Sequence, residues 1–407
     1  PRPQAARSMT ATADRDAGGA ARPATASDAG SNPTAGTATT DAPGAARPGD
    51  AAWDTFAERG NPGSYLQLSG WARVKAVNGW GADRIVAGAT PTGPTDEIPD
   101  GAIAAQILVR RPRPLPWTIA YAPRGPVTAA WTADAVVAFT DEARRSLRAR
   151  PDRIAHLRID PEIEAGGAQD REGAIRHALR AAGWRPADPI QPNATRIVDL
   201  GADEDALWGD LRKKWRQYVN KARAGGITVT DAEGDSLPEF YRIYRETADR
   251  AGFLIRTEGA YRDIWEAYAP AGRARLLFAR RPDGEAVATL FLVRCGTRVV
   301  EPYGGMTADG GESRANYLLK WEAIRSSREQ GATSYDLWGL ATGGIAHFKT
   351  GFGGREVRYI GAWDLVLDPL GRQAYIRGQG ARVWYARRRH GIAGGAQASA
   401  YTGGDAA

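Results

Sequence analysis

Residues 334–354 read SYDLWGLATGGIAHFKTGFGG, and the reading of this stretch decides the fold. Tyr335 and Leu337 make a short strand with apolar positions two apart. A glycine-bracketed turn follows, and a second segment presents His347, Phe348 and Lys349 ahead of Phe352, Gly353 and Gly354. Glycine has no Cβ to hold a ligand off, so such a turn lets backbone come close to one. Taken alone, the pair Phe348-Lys349 reads as an exposed lysine in an ordinary strand-loop-helix.

The segments upstream change that. The strand-like runs ARLLFARR (274–281), AVATLFLVRC (286–295) and RVVEPYGGM (298–306) precede a helix over 316–330, which leads into SYDLWGL. A strand, a crossover helix and a parallel strand form a right-handed βαβ unit. Before these runs stand the strand ITVTD (227–231) and helices over 237–251 and 261–268. Residues 203–224 read as one helix with an acidic start and apolar spacing at Leu207, Trp208, Leu211, Trp215 and Val219. Arg212, Lys213, Lys214, Arg216, Lys221 and Arg223 run along it, and Gly225-Gly226 ends it. A strand over 194–200 leads in. Two helices, a run of strands, a helix and a further strand is the layout of an N-acyltransferase fold of the GNAT type, an analogy that sets no chemistry by itself.

Nearer the N-terminus, Trp53 and Phe56 open the first ordered unit. In residues 63–88, Leu66, Leu68, Trp71, Val74 and Val77 recur at spacings of two to three. This predicts a short extended piece and then an amphipathic helix with Arg73 and Lys75 on or near its polar side. Strands at 103–110, 117–127 and 156–160 alternate with helices at 133–149 and 174–182, so the domain is mixed α/β.

The 407 residues exceed one comfortable core. With 54 Lys+Arg against 47 Asp+Glu, net +7 and pI about 9.5, the chain favours anionic partners: nucleic acid, phosphorylated substrates or an acidic membrane face. The single cysteine, Cys295, excludes an internal disulfide framework and reads as core. The four scattered histidines lack an HExxH pattern, so no catalytic metal is expected. Residues 1–50 and 391–407 have compositions that cannot bury enough surface to order, and Met9 reads as a natural start. Arg387-Arg388-Arg389-His390 reads first as a solvated helix end and second as a contact to lipid or RNA phosphate. No stretch approaches a signal h-region or a membrane span, which predicts a cytoplasmic chain. In residues 307–324, TADGGESRANYLLKWEAI, a coenzyme A pyrophosphate turn would be expected. The segment has Gly310-Gly311 without the usual Arg/Gln-x-x-Gly-x-Gly/Ala pattern, and Glu312 would face the phosphates. Coenzyme A is disfavoured and no cofactor is expected.

Seven stretches carry a resemblance: SYLQLSGWARVK (64–75), YAPRGPV (121–127), DALWGDLRKKWRQYVNKARAGG (205–226), EPYGGM (301–306), YDLWGL (335–340), HFKTGFGG (347–354) and VRYIGAWDLVLDPLGRQAY (357–375). In this order the chain resembles the Fem aminoacyltransferases, the FemABX group that builds peptidoglycan interpeptide bridges from aminoacyl-tRNA. The likeness covers most of residues 60–390 and is closest to members without a coiled-coil arm, since no heptad run follows Arg223. It implies two GNAT-like domains: residues 51–192 completed by 356–390, and residues 193–355.

The resemblance also implies the reaction. A free amine on residue three of the stem peptide, carried by a lipid-linked or UDP-linked precursor, attacks the ester of an aminoacyl-tRNA. Both substrates are polyanions. Lys349 matches the family's functional lysine beside the tRNA acceptor end, and Phe348 would pack on the terminal adenosine. Lys75 and Arg256 (in FLIRTEGAY, 253–261) match positions that hold the precursor's diphosphate, and Tyr121, Tyr261 and Tyr303 would line the cleft with their hydroxyls. YAPRGPV offers no carboxylate as general base, so the amine's proton is expected to leave through substrate groups or water. The implied partners are aminoacyl-tRNA and the precursor, with no stable protein partner; a peripheral contact with the inner membrane face is compatible with the lipid-linked acceptor. The rival readings are a transferase of this fold that acylates a protein or small molecule from aminoacyl-tRNA or acetyl-CoA, and an RNA-binding protein without catalysis.

Overall fold

The structure is a computed structural model that describes residues 48–88, 97–340 and 344–390, with side chains to residue 381. The expected loose tails lie outside the described residues, except that Asp50 already opens a helix. Its carboxylate receives the guanidinium groups of Arg84 at 2.5 Å and Arg73 at 3.1 Å, which fixes that start. The basic run 387–390 closes the last helix, and its side chains lie outside the described part.

The first half comprises α1 (Asp50–Arg59), α2 (Ser69–Ala76), β1 (Gly81–Ala87), β2 (Ile103–Arg110), β3 (Thr118–Ala122), β4 (Val127–Thr128), α3 (Ala133–Arg148), β5 (Ile154–Ile159), α4 (Ala174–Ala181) and β6 (Trp184–Ala187). The second half runs β7 (Ala194–Asp199), α5 (Glu204–Asp210), α6 (Lys213–Ala224), β8 (Thr228–Ala232), α7 (Leu237–Ala251), α8 (Glu258–Tyr268), β9 (Ala274–Arg280), β10 (Ala286–Cys295), β11 (Arg298–Met306), α9 (Ala308–Glu312), α10 (Ala315–Glu329), β12 (Ser334–Asp336), α11 (Gly344–Thr350) and β13 (Arg355–Arg358). Then come β14 (Ala362–Val366) and α12 (Pro369–His390).

Among the described residues there are two mixed seven-stranded sheets. One has the order β1-β2-β3-β5-β14-β6, with β4 on β2; the other has β13-β7-β12-β11-β10-β9-β8. The crossover from β11 through α10 to β12 is parallel, as the sequence predicts, and so is β3 to β5; the other pairings are antiparallel. The chain changes sheets between Arg358 and Ala362, because β13 pairs with β7 while β14 slots between β5 and β6.

Strands such as β2 and β10 read as nearly continuous apolar runs because helices or loops cover both of their faces. Ile107, Phe139, Leu157 and Trp363 pack α3 and α4 on the first sheet. Trp215, Val219, Leu319 and Trp321 pack α6 and α10 on the second. A third cluster joins the halves: Tyr65, Trp71 and Val74 meet Phe240, Tyr261 and Tyr268 of α7 and α8 over the strands carrying Phe278 and Phe291. Cys295 belongs to that core, as the sequence suggests, and burial pushes its thiol up.

Three local readings are corrected. Residues 203–224 are two helices, because Leu211 and Arg212 turn extended so that the Arg212 amide can donate to Gly351 O at 3.0 Å. Residues 81–87 form a strand that the alternation upstream hid, since Asp83 and Arg84 lie on a sheet edge and need no apolar face. Lys75 does not sit on the polar side of α2: it is 4 % exposed, with its ammonium 5.2 Å from the Trp71 ring one turn back. Helix α6 passes into β8 with no helical arm among the described residues between them. No described helix is long and apolar enough to cross a membrane.

Candidate functional site

β12 stops at Asp336, and Trp338 then takes φ +46°, a left-handed conformation that costs a bulky residue energy and needs surrounding contacts to hold it. Those contacts are present. The Trp338 amide donates to Asp336 Oδ1 at 2.8 Å, its ring lies 5.8 Å from that of Tyr65, and the Arg124 guanidinium sits 5.1 Å from its centroid. Its carbonyl accepts a hydrogen bond from Lys349 Nζ, which also donates to Gly339 O at 2.8 Å. Short helix α11 thus aims Lys349 back into the turn that precedes it.

Lys349 is half-buried, and burial draws its pKa down from 10.5 to about 8. The nearby Lys320 cation pushes the same way, against Glu301 and Asp336. Two of the three ammonium protons have backbone partners, leaving one for a ligand oxygen among the described residues. Beneath the loop, Lys320 and the Tyr335 hydroxyl (2.7 Å) both bind the buried Glu301 carboxylate. Phe348 packs edge-on against Tyr317 and Phe352, both at 5.1 Å, with Lys320 at 5.5 Å from its ring.

The glycines around this lysine approach the protein rather than open space. A Cβ on Gly351 would lie 2.2 Å from the Trp215 ring, and one on Gly354 (φ +68°) 2.3 Å from Ile197 O. They seat α11 against α6 and β7.

A buried ionic network links this loop to the first sheet. Arg298 donates to both Glu162 oxygens (2.6 and 3.0 Å) and to Asp336, which also accepts from Thr195. Glu162 lies 3.5 Å from Arg124 Nε. The Arg124 amide and the Tyr121 hydroxyl donate to Asp160 at 2.6 and 2.8 Å. Burial pushes the Asp160 carboxyl up while Arg124 opposes it. A carboxylate therefore does stand behind YAPRGPV, supplied by the end of β5, but it is held by structural donors.

Of the residues singled out from sequence, Lys75 and Arg256 come together: their cationic groups lie 5.2 and 5.6 Å from the Trp71 centroid. Tyr261 and Tyr303 pack edge to face at 5.1 Å in the adjoining core, and the Tyr261 hydroxyl accepts from the Arg256 amide at 3.2 Å. Tyr121 stands apart, in the Asp160 network. All three tyrosines are buried. Tyr65 is the bridge, its ring 6.0 Å from Trp71 and 5.8 Å from Trp338.

Sequence reasoning missed Trp338, Arg124, Glu301, Lys320, Arg298 and Asp336. Lys320 carried a signal, a lysine between Leu319 and Trp321 on an apolar helix face.

Comparison with known proteins gives the relationship. Lipid II:glycine glycyltransferase of Staphylococcus aureus (strain MRSA252) is 29 % identical over 245 residues, which cover 58 % of this chain and 54 % of that protein. The protein of that name from strain NCTC 8325 / PS 47 matches over the same length at the same identity. The chain thus spans about half the length of the curated relatives it matches. The crystal structure of FemX superposes with a TM-score of 0.71 at 22 % identity, covering 80 % of this chain and 98 % of that one, which shows a shared fold. The FemAB family model matches residues 49–281 and 273–376, so that both sheets and the Lys349 loop lie within it, and the chain belongs to the FemAB family.

Proposed function

We propose that this chain is a tRNA-dependent aminoacyltransferase of cell-wall synthesis. It would transfer an amino acid from aminoacyl-tRNA to the side-chain amine of residue three of a peptidoglycan stem peptide, on a lipid-linked or UDP-linked precursor. Family membership and the relative named as a lipid II:glycine glycyltransferase support the reaction class. The observation that carries the reading is Lys349, a cation drawn to a pKa of about 8 and held by the carbonyls of Trp338 and Gly339.

In this reading the amine's lone pair attacks the ester carbonyl and a C–N bond forms. The carbonyl oxygen takes the negative charge, and collapse breaks the bond to the ribose oxygen. The remaining N–H of Lys349 stabilises that oxyanion or donates to the departing ribose oxygen, while the amine's proton leaves through substrate groups or water. An ester activated in this way needs alignment more than it needs a strong base. Phe348 flanks the terminal adenosine. Lys75 and Arg256 take the precursor's diphosphate, with Tyr261 and Tyr303 fixing their frame and Tyr121 fixing the Arg124 side of the cleft. Each sheet with its helices acts as one GNAT-like domain.

The test is reconstituted transfer of a labelled amino acid with tRNA, its synthetase and either precursor. The expected outcome is label in the stem peptide, abolished by RNase. Transfer that survives RNase and needs acetyl-CoA overturns the reading.

A further inference from the structure

A ladder of rings leads from Lys349 out to the basic face of α6. Phe348 lies 5.1 Å from Tyr317, Tyr317 lies 4.8 Å from Tyr218, and Trp215 contacts both Tyr317 and His347 at 5.3 Å. Cations are interleaved with the rings. Arg314 is 4.6 Å from the Tyr218 centroid, Lys214 is 5.6 Å from it, and Arg212 is 5.6 Å from Trp215.

The twelve residues of α6 contain no carboxylate. Arg216 is consumed by carbonyls of the preceding turn and Arg223 by Glu322. Among the described residues, Arg212, Lys213, Lys214, Lys221 and Arg314 have no carboxylate within ion-pair distance. Like charges one helical turn apart repel, so a face built this way gains when a polyanion neutralises it.

Interleaved rings and cations suit unpaired nucleotides, whose bases stack while their phosphates pair. A membrane surface fits less well, because α6 and α10 expose no large apolar side chain to insert among lipid chains, and α11 exposes a single one, Ile345. Resting on the aminoacyl-tRNA reading above, we propose that this surface of α6, the start of α10, and α11 is the track for the unpaired 3′ end and the adjoining backbone phosphates of the RNA. The rings of Tyr218 and Tyr317 meet bases, Arg212, Lys213, Lys214 and Arg314 take phosphates, and the track ends at Lys349.

The test is binding by fluorescence anisotropy to a short hairpin RNA with an unpaired 3′ end, at several salt concentrations. It compares the full chain, the double variant Lys213→Ala/Lys214→Ala, Tyr218→Leu, and a control on the other sheet, Arg148→Ala. The double variant removes two exposed side chains and is expected to weaken binding at least tenfold and to flatten the salt dependence by about one ion per cation removed. Tyr218→Leu should weaken binding several-fold and abolish the preference for the overhang over a blunt hairpin, with its salt slope unchanged. Arg148→Ala should match wild type. Variants that bind like wild type while wild-type transfer stays RNase-sensitive overturn this inference and leave the aminoacyl-tRNA reading standing. A wild-type chain that neither binds the hairpin nor uses aminoacyl-tRNA overturns both. Lost binding to vesicles of anionic phospholipid with unchanged RNA binding reassigns the face to a membrane and also overturns it.

Discussion

The ammonium of Lys349 donates to the backbone carbonyl of Trp338, the residue whose ring is faced by the Arg124 guanidinium. One residue thus ties the lysine of the second sheet to a cation of the first.

Lys349→Met keeps most of the stem and deletes the charge. Turnover is expected to fall by about two to three orders of magnitude, the scale of losing one preorganised electrostatic donor, with the circular dichroism spectrum unchanged. Lys349→Arg should rescue poorly, because a planar guanidinium cannot place its charge at the same point. The protonated form acts, and with a pKa of about 8 its population falls as pH rises through 8. Steady-state kcat/KM for wild type should therefore decline above about pH 8. Constant activity to pH 10 would remove the lysine from the mechanism.

Trp338→Gly and Trp338→Ala separate backbone from ring. Glycine tolerates φ +46° and alanine does not, so thermal denaturation should find the glycine variant more stable by about 1 kcal/mol. Both should lose turnover, since both lose the ring between Tyr65 and Arg124.

Asp336 is fully buried and serves Arg298, Thr195 and the Trp338 amide. Asp336→Ala leaves Arg298 short of a partner and is expected to cost about 3–5 kcal/mol in urea denaturation. Asp336→Asn, which keeps an oxygen for the amide, should cost less. Equal losses would show that the charge, and not the turn, is what Asp336 supplies.

Lys75 and Arg256 share the Trp71 ring. Each neutralising change, Lys75→Met or Arg256→Met, should raise KM for the diphosphate-bearing precursor more than it lowers kcat. The double variant should fall short of the sum of the two, because both act at one site. Strict additivity in kcat/KM would mean they bind separate groups.

His156 is 1 % exposed, and its Nδ1 has no hydrogen-bond partner. Burial lowers its pKa from 6.5 to about 4, helped by Arg158 and Arg372 and opposed by Asp364. Between those values the unfolded chain takes up a proton that the folded chain refuses, so stability is lost as pH falls from 6.5 toward 4. The loss should reach up to about 3 kcal/mol, one pKa unit being about 1.4 kcal/mol. His156→Gln should be less stable than wild type at pH 7 and should lose less on acidification, measured by denaturation at both pH values.

How far the sequence could be read depended on how local each cause was. β10 and α6 were legible because burial imposes their apolar patterns directly. The break between α5 and α6 was not, since it is made by the Gly351 carbonyl, far along the chain. β1 was hidden because an edge strand can carry Asp83 and Arg84. At the site, Lys349 and its glycines stood in one motif, whereas Glu301, Lys320, Arg298 and Asp336 are charged residues whose burial makes sense only once their partners are beside them. The left-handed Trp338 had no local signal, since nothing in tryptophan favours that conformation.

The placement of β14 bears on synthesis of the chain. A ribosome that has delivered residues up to Ala187 has made β5 and β6, but the strand that must lie between them is still to be translated, behind the whole of the second sheet. Until Val366 emerges, β5 keeps one edge open and β6 has no partner strand on the nascent chain, so both are ready to pair with a neighbour. Growth temperature and chaperone supply should therefore govern the yield of folded protein more than the strength of either sheet, and fragments ending before residue 362 should collect in the insoluble fraction.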